Sequence, residues 1–235
     1  MTNLEKNYKN IAALVTVCAV VILFALYTHK ESRIESILNS QMEIDSIRYK
    51  ATYQYYKLLA KNMNLFLIQS AEVQKILNKL YKANPQELDN IRIELKQYLN
   101  KSYENMRGLH FTQLHFHLKD NTSFLRMHKP DKYGDNLDGI RYGVELVNKK
   151  LTDVDGFEEG RIVNGFRYIF PLFDEKHHHL GSVEISVSSE AFIGMMKIGF
   201  SSTVHFLVAK SVVDKKLYKD ELLKHYEESV ESPLY

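Results

Sequence analysis

Six side chains in the second half of the sequence have the types and spacing to hold a charged small molecule: Arg126, His128, Arg141, Glu158, Arg161 and Arg167. Arg126 and His128 are two positions apart, so on a strand they share one face while Leu125 and Met127 point to the other. In Phe166-Arg167-Tyr168-Ile169-Phe170 the aromatics fall on one face, and Arg167 and Ile169 on the opposite one. A guanidinium is a planar fork that grips a carboxylate through two parallel hydrogen bonds, and a partly desolvated site strengthens each of them. A small organic acid or another anion is therefore the ligand these residues favour. The alternative is internal: Arg161 and Arg167 pair with Glu158 and Glu184 across a sheet and close its surface.

Histidines raise a second chemistry. His115, His117 and His128 would converge if the first two strands pair, because cross-strand neighbours lie about 5 Å apart. Nothing else in their spacing is diagnostic of zinc or copper, and His177-His178-His179 reads as an exposed polar turn. Neither a metal nor a cofactor is expected. The sequence has no P-loop, no Gly-rich dinucleotide turn, no Gly-x-Ser-x-Gly elbow and no His-Glu-x-x-His helix. Adjacent acids such as Glu158-Glu159 point apart on a strand, so catalysis is not expected either.

The elements that must position these residues follow from periodicity. Leu114, Phe116 and Leu118 alternate with His115 and His117, the pattern of a half-buried strand. Lys119-Asp120-Asn121-Thr122 supplies turn chemistry before a second strand around Phe124 to Pro130. A turn-rich linker leads into a helix around Ile140 to Asn148, Asp153-Val154-Asp155-Gly156 returns the chain to the sheet, and Asp174 to His179 joins the last two strands. A helix over Ala191 to Ile198 and a further strand over Thr203 to Val208 are expected beyond. Asn84 can cap a helix that has Pro85 in its first position and Glu87 in its first turn. That helix directs Leu88, Ile91, Leu95, Tyr98, Leu99 and Met106 inward and stops at Gly108.

Upstream, Ile11 to Tyr27 is an apolar run broken only by Thr16, at the short end of what spans a bilayer. It ends in Leu26-Tyr27-Thr28-His29-Lys30 with no small-x-small cleavage pattern, so an uncleaved anchor is expected. Lys6 and Lys9 on one side face Lys30 and Arg33 on the other, and the orientation bias is slight. Glu31 to about Leu80 contains no Gly or Pro, and its apolar residues recur at helical spacing. Fifty such residues would reach roughly 75 Å, more than a small domain needs for packing. This predicts a stalk paired with a second copy; a bent helix, or two helices broken near Asn62 or Asn64, is the alternative. The net charge of +2 and the lack of a basic stripe with interleaved aromatics argue against nucleic acid. The lone Cys18 excludes an intramolecular disulfide.

Several blocks in order carry a resemblance. Phe116-His117-Leu118-Lys119-Asp120, Ser123 to Pro130, Tyr133-Gly134-Asp135, Gly156 to Arg161, Gly165-Phe166-Arg167 and Leu180 to Glu184 resemble extracytoplasmic Cache sensor domains of bacterial receptors. The double-Cache subgroup of chemoreceptors, histidine kinases and diguanylate cyclases is the most similar, over roughly residues 30 to 235. The resemblance implies an α+β fold: a PAS-like five-stranded antiparallel sheet held outside the cytoplasmic membrane by a long N-terminal helix. It also implies a small-molecule ligand and a role in signal transduction. The layout expected is a tail over 1–10, an anchor over 11–27, helices over 31–107, the sensor sheet over 108–200 and a partial second module or tail over 201–235. Receptors of this kind continue into a second module, a second span and an output domain; this sequence stops soon after the second module would start. A truncated receptor and a stand-alone sensor both fit. The rival class is a membrane-anchored interaction protein that dimerises through its stalk.

Overall fold

A computed structural model of the 235-residue chain describes residues 3–160, 164–199, 203–216, 226–229 and 232–235. The first helix, α1, runs Asn3–Met63 and crosses two compact units, residues 1–51 and 52–235. In the first unit the apolar run from Ile11 to Tyr27 is fully exposed, and it is long and apolar enough to cross a membrane.

In the second unit the end of α1 buries Tyr56 and Ala60. The helix does not continue to Leu80. A single wide π-helical turn follows at Asn64–Ile68, and Ser70, in extended conformation, starts α2 (Ala71–Leu77). The break falls at Asn64, the alternative reading, and it turns Ile68, Val73, Ile76 and Leu77 into one core. A short 3-10 helix, Asn78–Lys82, leads to α3 (Pro85–Gly108). Asn84 accepts from the Glu87 backbone and Glu87 accepts from the Asn84 backbone, a reciprocal capping box. Tyr98 is exposed on α3, and Tyr103 takes a buried place, donating to the Thr112 carbonyl at 2.8 Å.

The sheet comprises β1 (Phe111–Leu118), β2 (Ser123–Arg126), β3 (Val154–Glu158), β4 (Gly165–Phe173) and β5 (His179–Val187), with α4 (Tyr142–Lys150) between β2 and β3. Its order is β2-β1-β5-β4-β3, with antiparallel pairing throughout. One face presents Leu114, Phe116, Phe166, Tyr168, Phe170, Val183 and Ile185 to the helices. Each large side chain buried there contributes roughly 1.5–3 kcal/mol. The opposite face is polar at its centre and apolar toward β3, where Val144 and Val147 of α4 pack on Ile169. Beyond the sheet lie α5 (Ser189–Lys197) and α6 (Lys210–Lys216). Thr203 to Val208 is not a strand, because no sheet edge pairs with it.

Candidate functional site

Strand register builds the polar face. His115 stands between Arg126 of β2 and Glu184 of β5, and His117 between Ser123 and Ser182. Ile169 of β4 flanks Glu184 on the other side, and Arg167 lies between Ser186 and Gly156. Gly181 makes the close approach of β5 possible. Its φ is +146°, and a Cβ there would sit 1.9 Å from the His117 carbonyl oxygen.

Glu184 is the hub. Arg141 donates to its Oε2 and Arg167 to its Oε1. Arg141 also donates Nε–H to Glu158 Oε2 at 3.0 Å, while Arg167 reaches Gln113 Oε1 at 3.1 Å and the Glu158 carbonyl at 3.2 Å. Two guanidiniums and two carboxylates thus form a neutral cluster. Burial alone would raise the Glu184 carboxyl, but Arg141 and Arg167 outweigh that and hold it below the ordinary carboxylate range. Burial pushes His115 well below its ordinary value and His117 down to about 3, so both rings are neutral at pH 7.

The six residues singled out from sequence do not converge on one point. Arg141, Glu158 and Arg167 meet through Glu184. Arg126 is held by its own loop: it binds Asp135 bidentately at 2.7 and 2.9 Å and donates to the Lys132 carbonyl at 2.7 Å. His128 is half-buried past the end of β2, with no partner for Nδ1 among the described residues and burial holding it at about 4. It lines a pocket of about 570 Å³ with Tyr103, Arg107 and Met127. Arg161 lies outside the described residues. Sequence reasoning passed over Gln113, Ser123, Ser182 and Ser186, all buried on this face; for Gln113, Ser182 and Ser186 polar residues within the otherwise apolar β1 and β5 were the available signal. It also passed over the pair of Glu159 and Tyr226.

A cavity of about 590 Å³ lies beside β3, walled by α4 and by residues 206–216. Leu146, Val154, Ile169 and Phe206 form apolar wall, and Asp155, Glu158, Glu159, Arg167 and Lys216 are its charged groups. Glu159 is buried, accepts from the Tyr226 hydroxyl through Oε2 and has no hydrogen-bond partner for Oε1 among the described residues. Burial raises its carboxyl.

An α+β domain with helices on one sheet face, a buried polar network on the other and a cavity beside it defines the class of PAS-like sensory domains. Residues 57–230 match the family described as a double sensory domain of two-component sensor kinase (dCache_3), and the chain belongs to that family. It is a ligand-binding, non-catalytic sensor family, extracytoplasmic on membrane receptors. No curated protein matches the chain. Among solved structures it is similar to the E. coli DcuS sensor domain, with 15% identity over 63% of this chain and 98% of that one, TM-score 0.44. It is also similar to the Campylobacter jejuni chemoreceptor Tlp3 sensory domain, solved with isoleucine bound (14%, 71% and 65%, TM-score 0.47). A third is the V. cholerae histidine kinase DctB sensor domain (14%, 72% and 61%, TM-score 0.45). The chain thus spans less than two thirds of the length of Tlp3 and DctB domains it matches.

Proposed function

We propose that this chain is the sensory part of a bacterial membrane receptor, anchored in the cytoplasmic membrane by the apolar stretch of α1, and that it binds a small molecule in the cavity beside β3. The observation that carries this reading is a volume of about 590 Å³ with an apolar wall and five charged groups, Asp155, Glu158, Glu159, Arg167 and Lys216. Such a lining suits an apolar body with one polar end. Glu159 Oε1, without a hydrogen-bond partner among the described residues, favours a ligand that donates there, an amine or an amino acid. An anion, the class expected from the arginines, would instead bind by exchanging for Asp135 at Arg126 beside His128, or for Glu158 at Arg141 and Arg167. Arg161, adjoining β3 in sequence, is a further candidate for such an anion.

Signal would leave through α1. Asp155 on the cavity wall accepts from the Tyr53 hydroxyl and pairs with Lys57 at 2.5 Å, both on α1. A ligand that moves β3 therefore moves a partner of that helix. A thermal-shift screen of small acids, amines and amino acids tests the proposal, because a ligand bound only by the native state raises its melting temperature. Glu159→Gln should abolish the shift for an amine or amino acid and Arg126→Ala the shift for an acid. No shift with any compound class would sink the reading.

A further inference from the structure

We propose that His115, His117 and Glu184 bind one transition-metal ion of the zinc, copper or nickel class. This site lies on the sheet itself and does not depend on the cavity beside β3. The three side chains are exposed by only 1, 2 and 0%, and each offers a ligand atom within 4.8 Å of the others. The two imidazole rings are 4.0 Å apart between centroids. His117 Nδ1 meets Ser182 Oγ at 3.1 Å, and Nε2 is buried with no hydrogen-bond partner among the described residues. His115 Nε2 meets Ser123 Oγ at 2.8 Å. Each serine fixes its ring's orientation through one nitrogen, the role an outer-shell partner plays for a metal-binding histidine. A buried ring nitrogen without a partner is costly, and an ion would satisfy it.

Charge decides which ion. Both Glu184 oxygens already accept from Arg141 and Arg167, and each retains a second lone pair. The two guanidiniums cancel much of the carboxylate's attraction, so the imidazoles are the main donors. Calcium and magnesium need six or more oxygens and fit poorly here. Imidazole donors suit zinc, copper and nickel. Three protein ligands leave a position open to water or an exogenous group.

The test uses the full chain in detergent, stripped with chelator and refolded with and without Zn²⁺, since the site is buried. The expected result is about one zinc per chain and a raised melting temperature. Neither Ca²⁺ nor Mg²⁺ should produce the rise. His115→Gln and His117→Gln should each lose the metal, whereas replacing His177 and His178 in the exposed turn should leave it. Should the site variants fail to fold, X-ray absorption on the zinc-loaded wild type decides, with nitrogen neighbours expected at about 2.0–2.1 Å. A wild type that takes up no zinc overturns the proposal. So does zinc retained by both site variants, zinc lost with the loop histidines, or an all-oxygen coordination shell.

Discussion

Glu184 is a fully buried carboxylate whose two oxygens each hold a guanidinium, and removing one member of such a group leaves uncompensated charge in the interior. Glu184→Gln should therefore destabilise the domain by about 3–5 kcal/mol, read from the urea midpoint. An unchanged midpoint would mean that Arg141 and Arg167 find other partners. The neutral histidines set a pH dependence in chelator-treated protein. His117 titrates near 3 in the fold and near about 6.5 unfolded. Between those values the unfolded chain binds the extra proton, so stability is full above about pH 6.5 and falls as pH drops, by about 2 kcal/mol at pH 5 for this one ring. Urea midpoints at pH 7 and pH 5 should differ accordingly, and His117→Gln should shrink the difference, the remainder belonging to His115 and His128, which burial also lowers. At this scale the residue types were legible, but not their partners. Arg126 drew attention as an anion anchor, yet its mate is Asp135, nine positions on, in a turn whose closure no periodicity describes. Glu184 was visible as a lone charge between Val183 and Ile185; that two arginines reach it depends on Arg141 arriving from the start of α4.

Among the elements, the β1–β5 pairing is the one a single atom can break. Gly181→Ala would place a methyl against the His117 carbonyl and force a backbone conformation L-residues rarely adopt. Strain of this kind costs about 1–3 kcal/mol, and a clash at 1.9 Å adds to it. The expected outcome is a lower melting temperature together with faster amide exchange in β1 and β5; a variant as stable as wild type would show that the strands can part without loss. Helix and strand identity were largely readable, because alternation over Leu114 to Leu118 and the Asn84, Pro85 and Glu87 signals are local chemistry. Strand order was not. Alternation says which face a residue takes and nothing about its neighbour, and Thr203 to Val208 alternates without pairing. Strand propensity measures fit to a pleated surface, and a partner must exist for that fit to matter.

At the scale of the molecule, the exposed apolar residues of α1 carry the next expectation. Ile34, Ile37, Leu38, Ile44 and Ile47 recur at helical spacing and are exposed, which suits pairing with a second copy. Because Cys18 is the only cysteine, Leu38→Cys with Cys18→Ser gives a single reporter. Oxidation in membranes should yield a disulfide-linked dimer, and its absence at positions 34, 37 and 38 alike would remove the helix as the interface. The sheet order has a different consequence, one of timing. β5 is made last of the five strands yet lies in the middle, joining the β2-β1 pair to the β4-β3 pair. Until it is synthesised, β1 and β4 each carry an open edge rich in Phe and Leu, the kind of edge that recruits other chains. During synthesis the sheet therefore stays incomplete until residues 179–187 emerge as the closing piece. Conditions that slow their arrival should raise the demand for chaperones that shield strand edges, even though the finished domain is fully paired at its centre.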